Sequence, residues 1–238
     1  MTQKINYVAE LSGVKEVSLL GTADLAYWKT YLQPFGLQPT ESEGKAQVLI
    51  IAASLRFAGV PFQEVSFSVL VEPSSAQSSF SNGSFLLHAF NSSRLFAFSE
   101  RFFFSTPYTF AHCDVVTTAP LQIQVSLGGK PAFLAQMRPS TPERVAIDAG
   151  EDGWDGPVFL PKSSKTKKRY FMAKITGQTT VFPFGRSSDE SNQGDEIVFG
   201  MPFIRHPLFK ALINSEFKAK EWHLRPNAYH AKSKSYSE

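Results

Sequence analysis

Cysteine is the scarcest resource in this chain. Cys113 stands alone among 238 residues, which excludes an internal disulfide and any metal cage built from several thiolates. Long apolar runs are also missing: none reaches the roughly 18 residues that span a bilayer. Charge of one sign is not in excess either. The 24 Lys and Arg against 21 Asp and Glu leave +3, too little to imply nucleic acid. Met1 to Leu11 carries neither the basic flank nor the apolar stretch of a secretory leader, so a cytoplasmic location with no membrane partner is expected. No strict glycine period or sustained heptad exists, which excludes collagen-like and coiled-coil chains. With 42% hydrophobic residues, disorder is excluded as the main state.

The familiar chemical signatures are absent too. There is no G-x-G-x-x-G after a strand, no G-x-x-x-x-G-K-[ST] and no G-x-S-x-G. The five histidines, His88, His112, His206, His223 and His230, show no H-x-x-x-H or H-E-x-x-H spacing. No metal and no cofactor is expected.

What the chain has in abundance is phenylalanine, 22 residues, clustered between Phe80 and Phe110. A Phe-rich core accounts for this, since buried aromatic area dominates core energetics. The sharper reading makes some of these rings the wall of an apolar ligand pocket.

Strand-like segments dominate the rest. Val14–Leu20 reads as a strand, after which Thr22 caps a helix with Leu25, Trp28, Tyr31 and Leu32 on one face and Gly36 as its stop. Ala46–Phe57 is a continuous apolar strand. Val60–Val71 alternates, with Val65, Phe67, Val69 and Val71 on one side and Glu64, Ser66, Ser68 and Leu70 on the other. Ser84–Phe90 is another strand. Ser92 or Ser93 then caps a helix with Leu95, Phe98 and Phe102 at helical spacing, ended by Pro107. Leu121–Leu127 and Pro131–Met137 form a hairpin across Gly128-Gly129. Arg138–Gly156 reads as a long loop, Tyr170–Thr176 and Gln178–Phe184 as strands, and 186–196 as a polar loop. Pro207 opens a short helix to about Ser215, and Lys220–Leu224 and Ala228–Tyr236 close the chain as strands. The expected fold is one α+β domain over 1–238, mainly antiparallel β with two or three short helices.

Few residues invite chemistry. The basic run Lys162, Lys165, Lys167, Lys168 and Arg169 lacks interleaved aromatics to stack bases and reads as a solvated turn. Cys113 lies in an apolar strand and reads as a structural thiol. Glu64 is the exception. If its strand face is outward, it is simply solvated. If the sheet curls into a barrel, the same face lines a cavity and the carboxylate becomes a poised acid or base.

The order of segments resembles the acetoacetate-decarboxylase-like superfamily over most of the chain. Lys15 to Leu20 and then Thr22 to Leu37 look like its opening strand and helix. Gly59-Val60-Pro61-Phe62-Gln63-Glu64 looks like its G-x-P-Y-x-E motif. Phe85 to Phe90 is similar to its central Y-L-H strand, and Leu95 to Glu100 to the following helix with its acidic end. The resemblance implies a curled antiparallel sheet around a small cone-shaped barrel that holds the site, and a homo-oligomer.

In the decarboxylases of that family a lysine forms a Schiff base with a β-keto acid, in a P-K step six residues after the helix's acidic residue. Six residues after Glu100 stands Thr106, followed by Pro107 and Tyr108, and no lysine occurs between Lys45 and Lys130. A hydroxyl forms no iminium. The chain therefore resembles a member lacking the Schiff-base lysine, and no lysine is expected within hydrogen-bond reach of Glu64. What the resemblance leaves is a pocket: Glu64 as its acidic candidate catalytic residue, with Lys15, Glu64, His88, Thr106 and Tyr108 as ligand contacts. Lys15 reads equally as an exposed strand residue, and His88 as a satisfied core histidine.

Three functions follow as expectations. The first is a protein holding a small apolar or carboxylate-bearing molecule in the barrel, without Schiff-base chemistry. The second is an enzyme using Glu64 with His88, His112 or Tyr108 for acid–base work without a Schiff base, a relocated lysine such as Lys174 or Lys130 being its weaker variant. The third is a protein-interaction domain using the 162–169 turn or the 186–196 loop.

Overall fold

The computed structural model describes residues 5–73, 80, 82–139, 145–164, 167–185 and 194–237. Strands account for most of it. The alternating segment around Glu64 becomes β5 (Val60–Pro73). It pairs antiparallel with β4 (Lys45–Phe57) on one side and with β6 (Gly83–Asn91) on the other. From β4 the sheet continues through β1 (Tyr7–Asp24), β14 (Lys218–Ser237), β12 (Arg169–Pro183) and β11 (Ile147–Phe159). Strand β11 then pairs with β6, so the sheet closes into a ring. The expected curled, mainly antiparallel sheet is present. Two junctions are parallel: β6 with β11, and β6 with the edge strand β7 (Tyr108–Phe110). The short strands β2 (Leu37–Pro39) and β3 (Glu41–Ser42) extend β5 and β4.

A second sheet covers one outer face of the ring. Its strands are β8 (His112–Val116), β9 (Gln122–Leu127), β10 (Lys130–Gln136) and β13 (Glu196–Phe199), in the order β13-β10-β9-β8. The hairpin expected across Gly128-Gly129 is β9–β10, with both glycines at positive φ (58° and 77°) as a two-residue turn of primed type requires. Helix α3 (Pro207–Asn214) opens on Pro207 as expected. The main core lies between these layers: Val65, Phe67 and Val69 of β5 meet Val125, Phe133 and Phe209 with no exposure at all. The other face of β5, with Glu64 and Ser66, therefore looks into the ring.

Several local expectations need correction. Helix α1 (Leu25–Leu32) is capped by Asp24, whose Oδ1 accepts from the Tyr27 N–H at 2.6 Å, and not by Thr22, which remains in β1. A carboxylate at this position also suits the helix dipole. The expected loop 138–156 contains much of β11. Its glycines belong to the strand: a Cβ at Gly153 would lie 2.7 Å from the Ile175 carbonyl oxygen, so glycine is what lets β12 approach. Strand β12 and strand β14 each run unbroken where pairs of shorter strands were expected. Residues 140–144, 165–166 and 186–193, and with them Lys165 and most of the expected polar loop, lie outside the described residues.

The largest correction concerns α2 (Arg94–Phe103). Ser93 caps it, accepting from the Phe96 N–H at 3.3 Å. Its periodic apolar face, part of the cluster read as core or as pocket wall, faces solvent: Leu95 is 66% exposed, Phe98 58%, Phe102 68% and Phe103 68%. Only Ala97 is buried, and Phe96 packs edge-on against Phe62 at 4.7 Å. The phenylalanine cluster is thus divided. Phe85 and Phe90 are core, while the rings of α2 are surface.

Candidate functional site

The ring's inner face is organised by cross-strand register. Glu16 of β1 lies opposite Ala53 of β4, which lies opposite Glu64 of β5, which lies opposite Asn91 of β6. Residues directly opposite in a sheet point to the same face, so two glutamates share this row. Lys15 belongs to the neighbouring row with Ser54 and Gln63. It is exposed and points away from Glu64.

Glu64 is held from two sides. The Tyr108 hydroxyl donates to its Oε1 at 2.7 Å, and Asn91 Nδ2 donates to its Oε2 at 3.2 Å. Tyr108 reaches it because β7 runs parallel to β6, placing Tyr108 opposite Ala89. Beyond Tyr108 lies a second carboxylate, Glu100, near the end of α2. After the helix, Ser105 adopts a left-handed conformation (φ 56°) and folds the chain back. Thr106 Oγ1 then lies 2.8 Å from the Glu100 carbonyl oxygen and 3.0 Å from its Oε2. Thr106 thus clamps the helix's own acid.

Lys232 of β14 donates to the same Glu100 Oε2. Its ammonium also lies 4.3 Å from the centre of the Phe171 ring, 4.8 Å from Phe104 and 5.5 Å from Tyr108, positions that favour a cation. Lys232 does not bond Glu64, so among the described residues no lysine is within hydrogen-bond reach of that carboxylate. Its charge nevertheless acts on Glu64, and a lysine from another strand does stand in the group. It is neither Lys130, in the β9–β10 turn, nor Lys174, which lies opposite Ala231 and so on the other face of the sheet from Lys232.

The electrostatics separate the groups. Burial raises the Glu64 pKa and the Glu100 charge raises it further, against the opposing pull of Tyr108, Lys232 and Asn91. Burial, then Glu64 and Glu100, push the Tyr108 phenol well above its ordinary range. The arrangement is a carboxyl of raised pKa with a phenol donor, beside an ammonium–carboxylate pair.

An open cleft of about 440 Å³ lies over this group, between α2 and β7. Thr106 and Tyr108 belong to both cleft and group. His88 and Thr109 line it, bonded to each other (Nε2 to Oγ1, 2.9 Å). Burial and the neighbouring His206 lower the His88 pKa to about 4, so its ring is neutral at physiological pH. The opposite wall is Phe98, Phe102 and Arg101 of α2, with Lys162. Among the described residues neither Arg101 nor Lys162 meets a carboxylate.

Of the residues expected at the site, Glu64, Thr106 and Tyr108 come together, His88 lines the cleft, and Lys15 stands apart. Glu100, Asn91, Lys232, Arg101 and Lys162 were not foreseen as site residues. A second inner group was missed entirely. Glu16 is fully buried and accepts from Arg225 Nη1 at 2.7 Å and Ser18 Oγ at 3.2 Å, with His230 Nε2 at 2.6 Å from its other oxygen. Arg225 also bonds Asp152 at 2.8 Å. Cys113 is buried, its thiol pushed up to about 12 by burial and the Glu64 charge. No group of His, Cys, Asp and Glu suited to a metal occurs among the described residues, and no described helix is long and apolar enough to cross a membrane.

No family model and no curated protein matches the sequence. Solved structures do match in fold. Acetoacetate decarboxylase from Legionella pneumophila superposes with a TM-score of 0.62 over 99% of this chain and 89% of that one, at 11% identity. A second acetoacetate decarboxylase structure gives 0.61 over 96% and 88%, also at 11%. The enduracididine biosynthesis enzyme MppR, complexed with pyruvate, gives 0.57 over 98% and 90%, again at 11%. The chain has the acetoacetate-decarboxylase-like fold.

Proposed function

From that fold as premise, we infer that the protein binds a small carboxylate-bearing molecule with an apolar body, without a covalent bond, in the cleft between α2 and β7. The observation that carries this reading is the cleft's lining. Two cations with no carboxylate partner among the described residues, Arg101 and Lys162, face the same space as the rings of Phe98 and Phe102. A ligand carboxylate would pair with the cations while its apolar part covers the rings. The His88–Thr109 pair is uncharged and offers a hydrogen bond rather than a counter-ion. Glu64, whose carboxyl is protonated more readily than an ordinary one, stands behind Tyr108.

Calorimetric titration with octanoate and phenylpyruvate tests this. Both should bind, and replacing Arg101 and Lys162 together by Ala should weaken binding about tenfold or more, the equivalent of losing one charge-assisted hydrogen bond. Failure of both probes to bind, or binding unchanged in the variant, would remove the reading.

One observation favours a second reading, an enzyme acting on a carbonyl compound. Lys232 supplies an amine to the group that lacks a lysine at position 106, and a structural neighbour is complexed with pyruvate. Transfer of an ammonium proton from Lys232 to Glu100 would free the amine. Condensation with a ketone would then expel water and leave an iminium, with Glu64 and Tyr108 as proton donors. Borohydride reduction in the presence of pyruvate or acetoacetate separates the readings. A stable adduct on Lys232 supports the enzyme, and an unmodified chain that still binds octanoate supports the first reading.

A further inference from the structure

The exposed face of α2 has no occupant among the described residues. Leu95, Phe98 and Phe102 form a stripe at helical spacing, with Phe98 and Phe102 stacked at 5.6 Å and Phe103 edge-on to Phe102 at 5.1 Å. The stripe is bordered by the β4–β5 turn, whose Phe57 meets Phe96 at 6.0 Å and whose Val60 is exposed, and by Phe110, which the Arg94 guanidinium covers at 4.6 Å. An apolar surface this continuous marks an interaction site.

Charge decides what it fits. The segments that build the face, 56–62, 94–110 and 160–164, contain Arg56, Arg94, Arg101 and Lys162 and one acid, Glu100. Glu100 is turned away, held by Lys232 and Thr106. Among the described residues the face therefore offers aromatic rings with cations and no available carboxylate. A second copy related by a two-fold axis would set arginines against arginines across the contact. An amphipathic helix with aromatic residues on one side and arginines at its border instead has the chemistry that lies in the interface of an anionic bilayer, rings among the acyl chains and cations among the headgroups.

We propose that the α2 face docks on anionic lipid surfaces. Phe98, Arg101 and Phe102 belong at once to this face and to the cleft wall, so docking sets the cleft mouth against the bilayer, where an apolar carboxylate such as a fatty acid resides. Docking stands on the surface alone. Only the delivery of ligand rests on the cleft reading.

Vesicle co-sedimentation of the full chain tests it, with phosphatidylcholine vesicles and with phosphatidylcholine containing about a third phosphatidylserine. The protein should sediment with the second and not the first, and added salt should release it. The Leu95→Ser, Phe103→Ser double variant changes two exposed residues outside the cleft. It should lose at least about tenfold in vesicle affinity while its circular dichroism and octanoate binding stay as in the parent. Loss of vesicle binding with octanoate binding kept isolates the surface from the cleft reading. Absence of binding to the anionic vesicles, or equal binding by the variant, would overturn the proposal. So would concentration-dependent self-association that the same variant abolishes, which would assign the face to a second copy of the chain.

Discussion

Glu16 and Glu64 lie on one face of the closed sheet, linked through Ala53, and burial acts on both, yet their acidities move in opposite directions. Burial alone would raise Glu16 as it raises Glu64, but hydrogen bonds and charge from His230 and Arg225 outweigh it and lower the Glu16 pKa. Glu64 has only neutral donors in contact, Tyr108 and Asn91, and its nearest cation is committed to Glu100, so burial prevails. The difference teaches which acid is structural. A buried carboxylate bonded directly to a guanidinium is fixed as an anion. One bonded to a phenol and an amide keeps the freedom to hold or release a proton.

The largest effect that would break this comparison is at Glu16. Glu16→Ala leaves Arg225, itself nearly fully buried, with one partner and His230 with none, and should destabilise the fold by about 3 kcal/mol or more in urea denaturation. Glu64→Gln should cost less than about 1 kcal/mol, because the amide retains shape and hydrogen bonds. Equal losses would show that Glu64 is as structural as Glu16.

The sequence made half of this comparison visible, and the reason is local. Glu64-Val65-Ser66-Phe67 alternates so cleanly that its polar face could be identified before its direction was known. Glu16-Val17-Ser18-Leu19 repeats the same pattern, with Val17 and Leu19 in the core and Glu16 and Ser18 on the inner side. That repetition is a legible signal of a second inward-facing acid. Lys232 and Arg225 were not legible. Strand β14 is polar on both faces and its register with β1 is broken by bulges, so no period tells which of its side chains reach inward. For α2 the helical spacing shows that Leu95, Phe98 and Phe102 share a face, but cannot say whether protein or something else covers it.

Next in size is Lys232→Met. It keeps an apolar stem against Phe171 but leaves Glu100 half-buried without its cation, at a cost of about 2 kcal/mol. It also removes a charge that holds Glu64 down, so the Glu64 carboxyl should titrate still higher in carbon-detected NMR. An unchanged Glu64 titration would mean that the two groups do not communicate.

The pH dependence of stability sharpens the contrast further. Glu16 has a folded pKa below its unfolded value, so its contribution is present above the ordinary carboxylate range and is lost as pH falls through the folded pKa. Glu64 has a raised folded pKa, so its contribution is present below the unfolded value and is lost as pH rises through the folded one. Glu64→Gln should therefore flatten the decline of stability on the neutral side and leave the acid limb, which belongs to Glu16, in place. His88 adds to that limb: with a folded pKa near 4, it favours the folded state above about 6.5 and this is lost as pH falls toward 4. Denaturation curves of parent and variant across this window read both effects, and an acid limb that disappears in Glu64→Gln would reverse the assignment.

The smallest effect tests what holds Glu64 in its poised state. Tyr108→Phe removes one hydroxyl and leaves the ring against Ala89, Leu86 and Phe171. The lost hydrogen bond is worth about 1 kcal/mol. Removing it deprives the ionised carboxylate of its closest donor, so the Glu64 pKa should rise while stability near pH 7 falls only slightly. The cleft floor loses no volume beyond one oxygen, so octanoate should bind as before if its carboxylate pairs with Arg101 and Lys162, and more weakly if it reaches past Tyr108 toward Glu64. Calorimetry on Tyr108→Phe beside the Arg101, Lys162 double variant thus locates the ligand's charged end. A loss in the tyrosine variant with none in the double variant would move the binding site from the cleft wall into the ring, next to Lys232.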